Sequence, residues 1–139
     1  MTIEIRPCRD DEISAILTLW REAEAAVSVT DNRVGIEICL QHDPASLLVA
    51  LDDGRIVGTV LAAWDGWRGT IYRLAVAPAY RRRGLASALI RHGERRLTAL
   101  GAQRIQALVD SANLASLGAF GGQGWGVHQG MLRVTKSVD

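Results

Sequence analysis

A glycine turn that joins a strand-like run to a helix-like run constrains this chain more than any other feature. The turn is Arg81-Arg82-Arg83-Gly84-Leu85-Ala86. It follows the run from Thr70 to Val76 and precedes a run with helical spacing that continues to Leu100. The start of a helix aims unpaired backbone N–H groups and the positive end of the helix dipole at one place. The sequence therefore predicts a site for phosphate or pyrophosphate at this 81–86 turn.

The residues of the 81–86 turn suit that role individually. Gly84 lets the chain turn sharply and lets a ligand come close to the backbone. The three arginines add charged donors at the rim of the site. The alternative interpretation is a solvated basic turn with no ligand.

The other segments predict a mixed order of helices and strands. An alternating or continuous apolar pattern predicts strands at Ile3–Ile5, 46–51, 56–64, 70–76, 104–109 and 127–135. Helical spacing predicts helices from Asp10, as N-cap, to Val27, and at 34–41, 85–100 and 114–121. Asp52-Asp53-Gly54-Arg55 is typical of a hairpin turn, and Gly101 of a helix end.

Composition narrows the class of protein. A chain of 139 residues with 48% hydrophobic residues is expected to form one domain, residues 1–139, around one core. A net charge of +1 gives no general attraction to nucleic acid or to a membrane. We find no apolar run of membrane-spanning length, and 1–6 resembles a strand more than a signal peptide. Cys8 and Cys39 form no disulfide framework and no metal motif, so we expect reduced thiols and a cytoplasmic protein.

The 81–86 turn also resembles a known signature. In the GCN5-related N-acetyltransferase (GNAT) family, the acyl-CoA signature is Arg or Gln, two residues, Gly, one residue, then Gly or Ala. Arg81, Gly84 and Ala86 match it, and 74–80 looks like the family's lead-in from strand to loop. The order of elements is similar to the family fold from end to end, and residues 19–20, 57–60 and 64–69 resemble its small bacterial YpeA-type branch. The resemblance implies an α/β fold with a central, mixed, mostly antiparallel sheet flanked by helices.

The resemblance also implies an activity. We expect transfer of acetyl from acetyl-CoA to a primary amine, of a small molecule or of a protein, by direct attack and without a metal. The backbone of Leu74–Val76 would pair with the pantetheine arm like an added strand, and the Leu74 N–H would stabilise the developing oxyanion. The implied cofactor-binding residues are Leu74, Ala75, Val76, Arg81, Arg82, Arg83, Gly84, Leu85, Ala86 and Asn113. For Asn113 a plain helix N-cap is an equal alternative.

One position departs from the family pattern. The family usually has a Tyr about seven residues after that Asn, where its hydroxyl protonates the leaving thiolate. Here the position is Phe120, which has no proton to give. General acid help contributes roughly 10²–10⁴-fold, so the loss should slow the enzyme rather than abolish catalysis. A module that binds acyl-CoA with little turnover is the alternative function.

Several residues are candidates for the general base and for the acceptor site. The candidates for the base are Tyr72, Arg73, Glu22, Asp65, Asp110 and His128. Tyr72 stands out because its strand should line the cofactor cleft, although a core aromatic is the simpler interpretation. For the acceptor we expect contacts from Trp67, which lies in a turn, and from Glu22, in an acidic helical region that a solvated helix face explains equally well. The expected partner is an amine acceptor, with no nucleic acid or membrane and with a homodimer left open.

Overall fold

The chain folds as a mixed α/β structure, as the sequence predicts. The computed structural model describes residues 2–23 and 28–138. The strands are β1 (Ile3–Pro7), β2 (Leu47–Asp52), β3 (Arg55–Trp64), β4 (Gly69–Val76) and β5 (Ile105–Ala107). The α-helices are α1 (Ile13–Glu22), α2 (Arg33–His42), α3 (Leu85–Leu100) and α4 (Leu114–Gly121). These strands form one sheet in chain order, antiparallel throughout except that β5 runs parallel to β4.

Hydrophobic side chains cover both faces of the sheet. Successive residues of β2 alternate between two clusters: Leu48 packs with residues of α3, and Val49 with residues of α1 and α2. This two-sided burial explains why β2 is continuously apolar instead of alternating. At Gly93 of α3, an added Cβ would lie 2.9 Å from the Ile71 side chain, so the helix packs closely on β4. The close packing places the start of α3 next to the end of β4.

The turns follow the sequence predictions where glycine sets the backbone. Asp53 and Gly54 between β2 and β3 have φ angles of 49° and 80°, the pattern of a type I′ hairpin turn. Gly101 ends α3 with a φ of 112°. Gly54 and Gly101 lie in the left-handed region, which glycine adopts at little cost.

The start of the first helix differs from the prediction. Asp10 is not the N-cap: it lies in a short 3₁₀ turn, and α1 begins only at Ile13. The carboxylate of Glu12 accepts the Arg9 N–H at 2.7 Å, so the contact at this end joins Arg9 and Glu12 and does not use Asp10. The helix ends at Glu22, and the predicted continuation to Val27 falls on 24–27, outside the described residues.

The prediction of a last strand at 127–135 is wrong, because the described structure has no strand there. Leu132 and Val134 are 90% and 92% exposed. The apolar pattern supplies strand propensity, but a strand also needs an edge to pair with. The edge strand β5 is only three residues long, against the six predicted at 104–109, so it offers few backbone groups for another strand to pair with. No helix in the described part of the chain is long and apolar enough to cross a membrane.

Candidate active site

The 81–86 turn has the backbone geometry of an anion site. A 3₁₀ turn at Pro78–Tyr80 leads into it, and Gly84 is the N-cap of α3. Arg82 and Gly84 both adopt left-handed conformations, with φ angles of 63° and 77°. Left-handed residues in a turn gather successive N–H groups on one concave side, where they bind anions. A Cβ at Gly84 would meet nothing within 4 Å, so the space beside its Cα is open to a ligand.

The three arginines of the turn have different surroundings. The Arg81 guanidinium donates to the Ala23 carbonyl oxygen at 3.3 Å and so ties the turn to the end of α1. The Arg83 guanidinium lies 5.2 Å from the centroid of the Tyr80 ring, whose hydroxyl donates to Asp52. The Arg82 side chain is exposed. All three arginines are exposed; Arg81 contacts the end of α1 and Arg83 contacts the Tyr80 ring.

A gap opens between β4 and β5 on the way to this turn. Only Gly69–Ile71 of β4 pairs with β5, and the last contact is a 3.4 Å hydrogen bond from the Leu108 N–H to the Ile71 carbonyl. We call Tyr72–Val76 the open half of β4, because β3 pairs with it on one side and no described strand pairs with it on the other. The backbone of this half can accept an extended ligand as an added strand.

The middle of the open half contains a β-bulge. In the pairing of β3 with β4, Leu61 faces Tyr72 and Thr59 faces Ala75, so Arg73 and Leu74 together oppose one residue of β3. Ile71 and Leu74 therefore pack on the same hydrophobic cluster although they lie three residues apart. Arg73 adopts a φ of 50°, which is unusual for a residue with a side chain.

Side chains from three elements meet at the bulge. The Trp20 indole N–H donates to the Thr59 hydroxyl at 2.9 Å, and that hydroxyl donates to the Arg73 carbonyl at 2.9 Å. The Arg73 guanidinium lies 5.2 Å from the Trp20 ring centroid and pairs with Asp31. Burial, and then the charge of Arg133, lowers the pKa of Arg73. We call Trp20, Thr59 and Arg73 the bulge circuit.

Little in the sequence predicts this circuit. Trp20 lies in the helical segment predicted from Asp10 to Val27, and it is buried. Arg73 entered only as a candidate base, and its ion pair with Asp31 makes it a poor proton acceptor. Thr59 is fully buried within an apolar strand, and that single polar position is the signal that could have been noticed.

The helix after the gap carries the two other positions expected at the cofactor. The Asn113 side chain caps α4 by accepting the Ser116 N–H at 3.1 Å, as the N-cap alternative predicts. Phe120 is buried and meets Trp125 edge to face, with 4.7 Å between ring centroids. The Trp125 indole N–H donates to Glu94 of α3 at 2.6 Å. Phe120 therefore belongs to the packing that holds α4 on α3.

The residues expected at the acceptor lie far apart. Trp67 is 71% exposed in the turn between β3 and β4, with the Arg68 guanidinium 4.2 Å from its ring centroid. Glu22 lines a shallow depression near Gly54 and Arg55, at the other end of β3. Because β3 has ten residues, roughly 30 Å of strand separates the two ends. One small amine cannot contact both residues.

The candidate bases are mostly engaged in turns. Asp65 accepts the N–H groups of Arg68 and Trp67, at 2.7 and 2.8 Å, and these bonds lower its pKa. Asp110 accepts the Ala112 N–H at 2.8 Å. Tyr72 is 36% exposed on the open half of β4, and its hydroxyl has no hydrogen-bond partner in the described part of the chain. Residues 2–23 and 28–138 contain no group of three His, Cys, Asp or Glu residues that could hold a metal ion.

Comparison with known proteins shows the family of this chain. Residues 12–125 match the model of the Acetyltransferase (GNAT) family. An acetyltransferase of Pectobacterium atrosepticum is 41% identical over 118 residues, which cover 85% of this chain and 84% of the relative. The chain therefore belongs to the GNAT family, and it is an acetyl-CoA-dependent acetyltransferase.

Solved structures share the fold at low sequence identity. The PaiA N-acetyltransferase of Thermoplasma acidophilum, in complex with coenzyme A, has a TM-score of 0.78 and 17% identity over 92% of both chains. The aminoglycoside acetyltransferase AAC(6')-Iy, with a bisubstrate analogue, has a TM-score of 0.76 and 20% identity over 99% of this chain and 100% of that one. Both similarities support the same mixed α/β fold.

Proposed function

We propose that this protein transfers an acetyl group from acetyl-CoA to a primary amine by direct attack of the amine on the thioester. The observation that carries the proposal is the alignment of two backbone sites. The open half of β4, Tyr72–Val76, runs directly towards the 81–86 turn with its left-handed Arg82 and Gly84. A ligand with an amide-containing arm and a pyrophosphate at its end matches both sites.

Acetyl-CoA supplies the activated acetyl group, and residues of this chain bind and orient it. The N–H groups of 82–86 bind the pyrophosphate, with Arg81, Arg82 and Arg83 adding positive charge. The backbone of Leu74, Ala75 and Val76 holds the pantetheine arm, which passes the exposed Asn113 at the start of α4. The Leu74 N–H lies at the bulge and stabilises negative charge on the thioester oxygen.

The acceptor must reach the thioester as a free amine. A primary amine with a pKa near 10 is mostly protonated at neutral pH, so a proton must leave before attack. Tyr72 is the candidate for this proton transfer on the open half of β4. For the acceptor contact we retain Trp67, which is exposed, and place Glu22 outside the same small site. The bisubstrate complex of AAC(6')-Iy supports a cationic amine as the acceptor class.

The cytoplasm is the proposed location. Cys8 and Cys39 are both free, which suits a reducing compartment. Burial raises the pKa of the Cys8 thiol to about 11, so this thiol stays protonated and inert at neutral pH.

Calorimetry of two matched variants tests the cofactor site. Gly84→Asp places a negative charge beside the pyrophosphate, whereas Gly84→Asn has nearly the same shape, tolerates the left-handed backbone and carries no charge. We expect Gly84→Asp to weaken acetyl-CoA binding by roughly 100-fold and Gly84→Asn by about tenfold or less. A folded Gly84→Asp protein that binds acetyl-CoA as tightly as the wild type would exclude the 81–86 turn.

A second experiment separates the enzyme from an acyl-CoA-binding module. Purified protein is incubated with acetyl-CoA and a panel of polyamines, aminoglycosides and peptides with free N-termini, and thiol release is followed. We expect release that depends on the amine and an acetylated product of the added mass. Tight acetyl-CoA binding with no acetylated amine would instead favour the binding module.

A further inference from the structure

We propose that the bulge circuit, Trp20, Thr59 and Arg73, is a positioning unit that fixes the direction of the Leu74 N–H. The proposal rests on the proposed function, because it assumes that the thioester lies at the open half of β4. These residues touch neither the thioester nor the amine in this account. They act through the backbone of β4.

The backbone of Arg73 adopts a conformation that is costly for a residue with a side chain. A left-handed conformation costs a residue with a Cβ roughly 1–2 kcal/mol, and bulges of this kind commonly place glycine there. Arg73 nevertheless has a φ of 50°. Its side chain stacks over Trp20 and pairs with Asp31, so contacts of the side chain offset the cost of the backbone. The bulge is thus maintained by side-chain contacts rather than by a permissive residue.

The hydroxyl of Thr59 connects Trp20 to the bulge. Thr59 is fully buried, and its hydroxyl accepts from the Trp20 indole and donates to the Arg73 carbonyl. A bulge interrupts the regular ladder, so a carbonyl in it needs another donor. The hydroxyl therefore links α1 to the bulge and satisfies two polar groups that would otherwise be buried without partners.

The bulge circuit contacts β4 directly before Leu74. Leu74 directly follows Arg73 and is the second residue of the bulge. The bulge sets how the backbone at Leu74 is turned relative to the rest of β4. A donor that stabilises a developing oxyanion must be held to within roughly 0.5 Å. A rigid link from Arg73 through Thr59 to Trp20 supplies that precision from a buried part of the molecule.

The carbonyl stretch of bound acetyl-CoA measures this effect without any knowledge of the acceptor. A hydrogen bond from Leu74 lowers the stretching frequency of the thioester carbonyl, which difference infrared spectroscopy with [1-¹³C]acetyl-CoA resolves. We expect the wild type to show a lower frequency for bound than for free acetyl-CoA. Thr59→Ser, which keeps the hydroxyl, should keep this shift, and Thr59→Val, which keeps the shape, should lose most of it.

Binding and turnover complete the test on the same variants. Thr59→Val should bind acetyl-CoA within about threefold of the wild type, because the 81–86 turn is untouched. With an amine acetylated by the wild type, its kcat should fall about tenfold or more at an unchanged KM for that amine. Should Thr59→Val fail to fold, Trp20→Phe keeps the ring, removes the N–H and should lose part of the same shift.

Two substitutions of Arg73 isolate the backbone. Arg73→Gly favours the left-handed conformation and should keep more of the frequency shift than Arg73→Ala, which does not. Equal shifts in these two variants, or a full shift and full kcat in Thr59→Val, would overturn the positioning unit. Binding of acetyl-CoA with no frequency shift in the wild type would do the same and leave the cofactor site intact. No binding of acetyl-CoA at all would instead remove the proposed function itself.

Discussion

One end of the candidate site consists mainly of backbone groups, and the other depends on side chains. The 81–86 turn depends on backbone N–H groups, one glycine and a left-handed Arg82, all within six consecutive residues. The bulge in β4 depends on side chains of Trp20, Thr59 and Arg73, which come from three elements. A site built from consecutive backbone tolerates changes elsewhere in the fold. A site built from side chains that are distant in sequence depends on how the elements pack.

Replacing two tryptophans should show this difference most strongly. Trp20 is 7% exposed, and Trp67 is 71% exposed. Trp20→Ala should lower the free energy of unfolding by about 3–5 kcal/mol, because it leaves a large cavity and removes the hydrogen bond that the buried Thr59 hydroxyl accepts. Trp67→Ala should change it by about 0.5 kcal/mol or less. Denaturant titration measures both, and similar losses in the two variants would remove the structural contrast between them.

Acid should weaken the start of α1, the helix that carries Trp20, through a defined ion pair. The Arg6 guanidinium donates to both Glu12 carboxylate oxygens at 2.8 Å, and this bonding lowers the pKa of Glu12 below its usual range. Because the folded pKa is the lower one, the stabilisation is complete above the unfolded pKa and disappears as pH falls through the folded one.

The matched variant for that prediction is Glu12→Gln. At pH 7 it should unfold about 1 kcal/mol more easily than the wild type. Once the pH has fallen below the lowered folded pKa, Glu12 is protonated in both states and the difference should vanish. Urea titrations at several pH values measure it, and a difference that stays constant with pH would mean that the ion pair is not its origin.

Phe120→Tyr is expected to have the smallest effect on structure and tests the missing acid. The substitution adds one hydroxyl at the position where the family usually has Tyr, so acetyl-CoA affinity should stay within about threefold. Turnover should be kept or raised, because a hydroxyl beside the thiolate can protonate it. Phe120 is buried against Trp125, so thermal unfolding must be measured in parallel. A folded variant with clearly lower turnover would contradict the placement of Phe120 beside the thiol.

If the wild type already turns over quickly, another group must protonate the thiolate, or no group needs to. Tyr72→Phe then removes the phenol on the open half of β4. Full activity in that variant would exclude Tyr72 and leave solvent as the source of the proton. Reduced activity with unchanged acetyl-CoA affinity would show that Tyr72 takes part in a proton transfer, either from the amine or to the thiolate.

The same contrast explains what the sequence could predict. The 81–86 turn, the α4 boundaries at Leu114–Gly121 and the end of α3 at Gly101 depend on neighbouring residues, and all were predicted. The bulge was not, because the side chains that contact it, those of Trp20 and Thr59, are distant from it in sequence. The strand predicted at 127–135 failed for a related reason. Its propensity is local, but its pairing requires an edge longer than β5 provides.

Amide chemical shifts of ¹⁵N-labelled protein test the central claim, that acetyl-CoA lies along the open half of β4 and ends at the 81–86 turn. We expect coenzyme A to shift the amides of both Leu74–Val76 and 82–86. We expect pantetheine, which lacks the pyrophosphate, to shift only Leu74–Val76, while the β5-paired Gly69–Ile71 changes little. Shifts confined instead to the depression that Glu22 and Arg55 line, between α1 and the β2–β3 turn, would contradict it.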